Sequence, residues 1–133
     1  MAMNVKPVPT LDDEVNEIRL ATTEIINKDI LPVEGKLWGW VSDSANAPNE
    51  VVNEAKELRQ QIQNKVKKAK LWAPHLPREF GGMGLSFMQH AYMNEVLAYS
   101  PGAASLFGVV APNSGNQKIL VTYGTPAQHE KWL

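Results

Sequence analysis

The stretch LPREFGGMGLSFMQH, residues 76–90 of a 133-residue chain, places a proline and three glycines directly ahead of an amphipathic segment. Pro74 and Pro77 end whatever precedes them, and Gly81, Gly82 and Gly84 permit backbone angles that side chains forbid. Ser86 with Gln89 then forms an S-x-x-Q capping box, the signature of a helix start. Met88, Ala91, Tyr92, Glu95 and Tyr99 follow at helical spacing and predict the buried face of that helix. The glycines read as a tight lead-in to a helix, and Gly81→Val or Gly82→Val is expected to destabilise wherever the residue has positive φ. Binding of a phosphate at the helix N-terminus is the alternative. The spacing matches neither G-x-G-x-x-G nor the P-loop, no Lys follows at the required place, and no strand precedes it.

Working toward the N-terminus, Asn49 is expected to cap a helix with the apolar stripe Val51, Val52, Ala55, Leu58, Ile62, Val66 and Ala69. Lys65, Lys67, Lys68 and Lys70 gather at its end, where cations suit the helix dipole. They read as a solvated helix end, with a phosphate patch as the sharper alternative. Before it, PVEGKLWGWVSDSANAP (residues 32–48) lacks a sustained period and is expected to be a long connection. Trp38 and Trp40 within it are expected to fold back onto the body, a ligand platform being the alternative. A first helix is expected from a Thr10/Asp13 capping pair, through Leu11, Val15, Ile18, Thr22 and Ile25 or Ile26, to a stop near Pro32.

Toward the C-terminus, SPGAASLFGVVAPNSGNQKILVTYG (residues 100–124) is small and apolar before Pro112. Gly102, Ala103, Ala104, Ser105 and Gly108 let backbones approach closely or leave room for something apolar. A helix using Asn116, Ile119, Leu120 and Tyr123 follows and ends at Gly124. Thr125, Pro126 and Gln128 make a second capping box with proline in the first turn. That last segment either docks on its own bundle or belongs to a longer polypeptide. The apolar content and abrupt ending also predict an apolar face left for other protein to cover.

At 44% hydrophobic and 20% charged residues, the composition is that of a single globular domain. Thirteen Lys and Arg oppose fourteen Asp and Glu, and a net charge of −1 gives no global attraction for nucleic acid. Without cysteine there are no disulfides, no thiolate chemistry and no cysteine-bound zinc or iron–sulfur cluster. The opening MAMNVKPVPT is not a signal peptide, and no apolar run reaches the ~18 residues of a membrane span. An intracellular soluble protein is expected. His75, His90 and His129 share no metal-ligand spacing and read as surface or packing residues. Glu95 in its stripe needs a hydrogen-bond or basic partner, a requirement that a structural carboxylate and a catalytic base share.

The order and spacing of LPREFGGMGLS (76–86), NEVLA (94–98) and YGTPAQHEKWL (123–133) resemble the N-terminal helical domain of the acyl-CoA dehydrogenase family. The motifs cover residues 71–133, about half the chain, and the two earlier helices fit without carrying a signature. APNSGN (111–116) is similar to a branch whose full-length members can carry a kinase-like domain. The resemblance implies an all-α, orthogonal or up-down bundle over residues 1–133, with the flavin β-barrel and C-terminal helical domains outside it. It implies an FAD enzyme that removes a hydride from the β-carbon of an acyl-CoA while a glutamate takes the α-proton. That glutamate and most flavin contacts belong to regions not in this chain, so neither role passes to Glu95. The resemblance also implies an acyl-CoA substrate, a homo-oligomer, and electron-transfer flavoprotein or a similar acceptor. Its setting would be bacterial cytoplasm, or mitochondria or peroxisomes in a eukaryote. It makes the stretch from Leu106 to Asn116 the expected wall of an acyl tunnel, with Leu106, Phe107, Val110, Asn113 and Ser114 as substrate-binding residues. A non-catalytic helical interaction module is the competing reading, and a free-standing nucleotide-binding domain using the Gly-rich loop is a further rival.

Overall fold

The computed structural model describes residues 1–133 and contains helices without strands. Helix α1 (Asp13–Ile25) continues through a π-helical turn, Ile26–Ile30, and a 3-10 turn, Leu31–Val33, into α2 (Glu34–Trp38). Helix α3 (Asn49–Lys68) precedes the Gly-rich loop, and α4 (Phe87–Leu97), α5 (Ala103–Leu106), α6 (Asn113–Tyr123) and α7 (Pro126–Trp132) follow it. Helix α1 packs chiefly on α4, α2 on α3, and α5 on both α3 and α4, while α6 pairs with α7. One core results, built around Ile26, Ile30, Leu37, Val66, Met93, Leu97, Leu106 and Phe107. An all-α bundle is therefore what these residues form.

Both capping boxes are present. Ser86 accepts from the Gln89 amide at 3.3 Å while the Gln89 side chain accepts from the Ser86 amide at 2.9 Å, and Thr125 with Gln128 repeats the arrangement. Two other helix starts differ from expectation. Asp12, not Thr10, is the N-cap of α1, and it makes no side-chain cap bond. Pro48 stands at the N-cap of α3 and Asn49 lies inside the helix, the fixed proline φ setting the turn without a side-chain acceptor. Nor does the chain leave helical geometry at Pro32, which sits in the first turn of the 3-10 segment where no donor is needed. The expected connection of residues 32–48 accordingly contains α2, whose Leu37 is fully buried.

The buried face of α4 is also a correction. Met93, Val96 and Leu97 enter the core, whereas Met88 is exposed and the Glu95 side chain is 67% exposed. Apolar residues lie all around this helix, so helical spacing alone fits more than one rotation. Glu95 has the basic partner expected of it, Arg19 at 3.7 Å, itself buried on α1.

Residues 1–8 form a strap along α1. Asn27 accepts from the Met3 amide (2.7 Å) and donates to the Met3 carbonyl (2.9 Å), and Asn16 does the same for Val8 at 2.8 and 3.0 Å. Arg19 donates to the Lys6 carbonyl at 3.1 Å, and the Tyr99 hydroxyl to that of Met1 at 3.0 Å.

Candidate functional site

The Gly-rich loop folds on its own backbone. The amides of Gly81, Gly82, Met83, Gly84 and Leu85 donate to the carbonyls of Arg78, Pro77, Ala73, Leu76 and Pro74 respectively. Five successive donors are thus engaged, and none is free to face a phosphate. This argues against the nucleotide reading of the loop and for its role as a closed connector. Lys70 and Ala73 adopt positive φ on the way in, at 59° and 49°. Beside the loop lies an amphipathic groove of about 960 Å³, floored by Ile18, Trp72, Phe80 and Met83 and rimmed by Glu14, Glu17, Lys67, Lys70 and Arg78. Lys67 sits 4.4 Å over the Trp72 ring and Lys65 pairs with Asp29 at 2.7 Å, so two of the clustered lysines already have partners.

Two of the small residues after Ser100, Gly102 and Gly108, are matched to indoles. A Cβ on Gly102 would lie 3.0 Å from the Trp38 ring, and one on Gly108 would lie 2.9 Å from that of Trp72. Close packing and a positive φ, +81° at Gly102 and +78° at Gly108, together account for both glycines. Trp38 folds back as expected and also lies under Arg59, 4.8 Å from its ring. Trp40 is half-buried and donates to the Leu37 carbonyl at 3.2 Å.

The five expected substrate residues separate into two groups. Leu106 and Phe107 are fully buried in the core, and the Phe107 carbonyl accepts from the Ala73 amide at 2.9 Å, tying α5 to the Gly-rich loop. Val110 (36% exposed), Asn113 and Ser114 lie beyond them on the outer turn and the start of α6. The Ser114 amide donates to the Val110 carbonyl at 2.8 Å, and neither Asn113 nor Ser114 caps the helix, whose N-cap is Pro112. None of the five lines the 960 Å³ groove.

Two histidines meet, His75 from the segment after α3 and His90 from α4. The rings of His75 and His90 stack with centroids 6.2 Å apart, and His75 Nε2 lies 2.9 Å from Gln117 Oε1. His75 Nδ1 and His90 Nε2 are buried without partners. Burial, then the neighbouring His75, holds the His90 pKa below its ordinary 6.5; a bond to Asn94 opposes this and Lys118 adds to it. The folded protein consequently binds fewer protons than the unfolded chain once pH falls toward and below 6.5. Thermal stability is expected to drop as pH is lowered through that range. His90→Gln should flatten the dependence in a melting series; an unchanged slope would remove His90 as the cause. No group of three or more His, Cys, Asp or Glu is placed to hold a metal ion.

The family profile described as “Acyl-CoA dehydrogenase, N-terminal domain” matches residues 12–133. The chain belongs to the acyl-CoA dehydrogenase family. Mouse (Mus musculus) “Acyl-CoA dehydrogenase family member 10” is 30% identical over 129 residues, covering 92% of this chain and 11% of that protein. “Probable acyl-CoA dehydrogenase IBR3” of Arabidopsis thaliana is 33% identical over 52 residues, covering 39% of this chain and 6% of that protein. No solved structure matches it significantly. This acyl-CoA dehydrogenase N-terminal domain thus spans about a tenth or less of the curated relatives it matches. None of its helices is long and apolar enough to cross a membrane.

Proposed function

We propose that this chain is the N-terminal domain of an FAD-dependent acyl-CoA dehydrogenase and that it walls part of the acyl site without catalysing alone. The family match over residues 12–133 carries the reading. The Gly-rich amides are engaged in backbone bonds and offer no donors to a flavin's phosphates, which supports placing most cofactor contacts elsewhere. Glu95, mostly exposed and paired with a buried arginine, has the surroundings of a structural carboxylate. Catalytic groups and cofactor contacts are accordingly assigned to further domains, or to a second subunit of a homo-oligomer. Acyl-CoA is the substrate and an electron-transfer flavoprotein the acceptor, in a soluble intracellular setting. Within this chain, Val110, Asn113 and Ser114 are the members of the expected tunnel wall that reach the surface.

Exposed apolar residues favour a second arrangement of the same fold, a non-catalytic interaction module. Phe87 is 86% and Tyr123 82% exposed, and α6 and α7 contribute no buried residue. Expression of the longer polypeptide together with the 133-residue chain separates the two. Flavin retained by the longer protein, and bleached by an acyl-CoA, is expected; an open reading frame without a flavin barrel would leave the module. Flavin retention and thioester dehydrogenation by the 133 residues alone would overturn both.

A further inference from the structure

We propose that the face made by α1 and α4 is a peptide groove that reads main chain, with residues 1–8 of this chain as its ligand in cis, an exchangeable strap. The inference is independent of the dehydrogenase reading. All six side-chain bonds from Asn16, Asn27, Arg19 and Tyr99 to the strap end on its backbone atoms. A carboxamide offers one donor and one acceptor side by side, as a neighbouring strand does, so each asparagine brackets one residue as a β-bridge would.

The register of the two chains matches. Asn16, Arg19, Thr23 and Asn27 follow at steps of three and four along one face of α1 and its π-turn, and the first three are nine-tenths buried. Asn16 and Asn27 are eleven residues apart, about 16 Å of helix. Met3 and Val8, which they bracket, are five apart, about 17 Å of extended chain. The strap runs antiparallel to α1, with Met3 at Asn27, Lys6 at Arg19 and Val8 at Asn16. Pro7 and Pro9 bias Lys6 and Val8, the residues before them, toward the extended form that presents their carbonyls.

Met3 and Val5 are the strap side chains that pack, partly buried, on the core. A cavity of about 430 Å³ remains between residues 1–5 and Arg19, Glu95, Val96 and Tyr99, so the strap is not sealed down by continuous packing. Ordering its backbone opposes six hydrogen bonds and two partial burials of similar total size, which lets it open without the bundle.

The test uses the full chain with Met3→Gly and Val5→Gly, which removes both apolar anchors and keeps every backbone group. A synthetic peptide of residues 1–9 is the probe, followed through the NMR signals of the Asn16 and Asn27 side-chain amides. Saturable binding is expected, weakened about tenfold or more by N-methylation at the Met3 and Val8 positions. Side-chain changes outside those of Met3 and Val5 should leave affinity within about threefold. Equal binding of the N-methylated peptide, or no saturation at millimolar peptide, would overturn the proposal. In the unaltered chain, the Met3 and Val8 amides should exchange faster than those of α4, yet slower than free peptide; exchange with α4 would make the strap a fixed part of the bundle and overturn it. Sedimentation showing a dimer that dissociates when the strap is released would assign the ligand to a second copy and overturn the assignment in cis.

Discussion

Gly82→Ala is expected to cost about 4 kcal/mol or more and to lower the melting temperature by roughly 10–20 °C. An added Cβ would lie 2.3 Å from the Leu76 carbonyl oxygen, 2.5 Å from the Leu76 Cβ and 2.7 Å from the Ala73 carbonyl oxygen. Those contacts cannot be relieved by a rotamer change, because two are backbone atoms. Both oxygens are also acceptors for the loop: Leu76 for the Gly84 amide, Ala73 for those of Leu76 and Met83. Moving them breaks the backbone bonds that close the turn. Gly81 is the contrasting case. Its φ is +80° and an added methyl would meet no atom within 4 Å, so Gly81→Ala carries only the left-handed penalty of about 1–2 kcal/mol. Of the two positions, Gly81 alone meets the positive-φ condition under which destabilisation is expected. Denaturant melts of the two variants distinguish the causes, and equal losses would remove close approach as the reason for Gly82.

Local rules made the helix starts at Ser86 and Thr125 legible, because each box is closed by residues three apart. Rotation of α4 was not legible: its apolar residues surround the axis, and the partners that choose Met93, Val96 and Leu97 come from α1 and α5. A second omission is the polar seam on α1. Apolar periodicity identified Val15, Thr22 and Ile25 as inward, and all three are buried. The same criterion passed over Asn16 and Arg19, which are equally inward because residues 1–8 cover them with backbone groups. The available signal was four polar residues at helical spacing, Asn16, Arg19, Thr23 and Asn27, on a helix whose neighbouring stripe is apolar. It becomes interpretable only when an extended, proline-restricted segment immediately precedes the helix. For the expected tunnel wall the family resemblance indicated a stretch of chain, but spacing could not sort its core-facing residues from its outward ones.

That sorting gives the second large effect. Phe107→Ala is expected to destabilise by about 3–5 kcal/mol and Leu106→Ala by about 2–5 kcal/mol, because both side chains are fully buried and truncation leaves a cavity. Val110→Ala, Asn113→Ala and Ser114→Ala lie on or near the surface and should each shift stability by no more than about 0.5 kcal/mol. In the longer dehydrogenase proposed above, the order should reverse for substrate selection. On the proposed reading the three outer residues face an acyl chain held by another domain, and their variants should then alter KM among acyl-CoA lengths while folding normally. Leu106 and Phe107 can reach that chain only if α5 repacks, and their variants should lose folded protein before they change selectivity. Thermal melts and KM across a series of acyl lengths, measured on the same five variants, test the division. A stable Phe107→Ala enzyme with changed chain-length preference would return Phe107 to the tunnel wall and show that α5 rearranges when the remaining domains are attached.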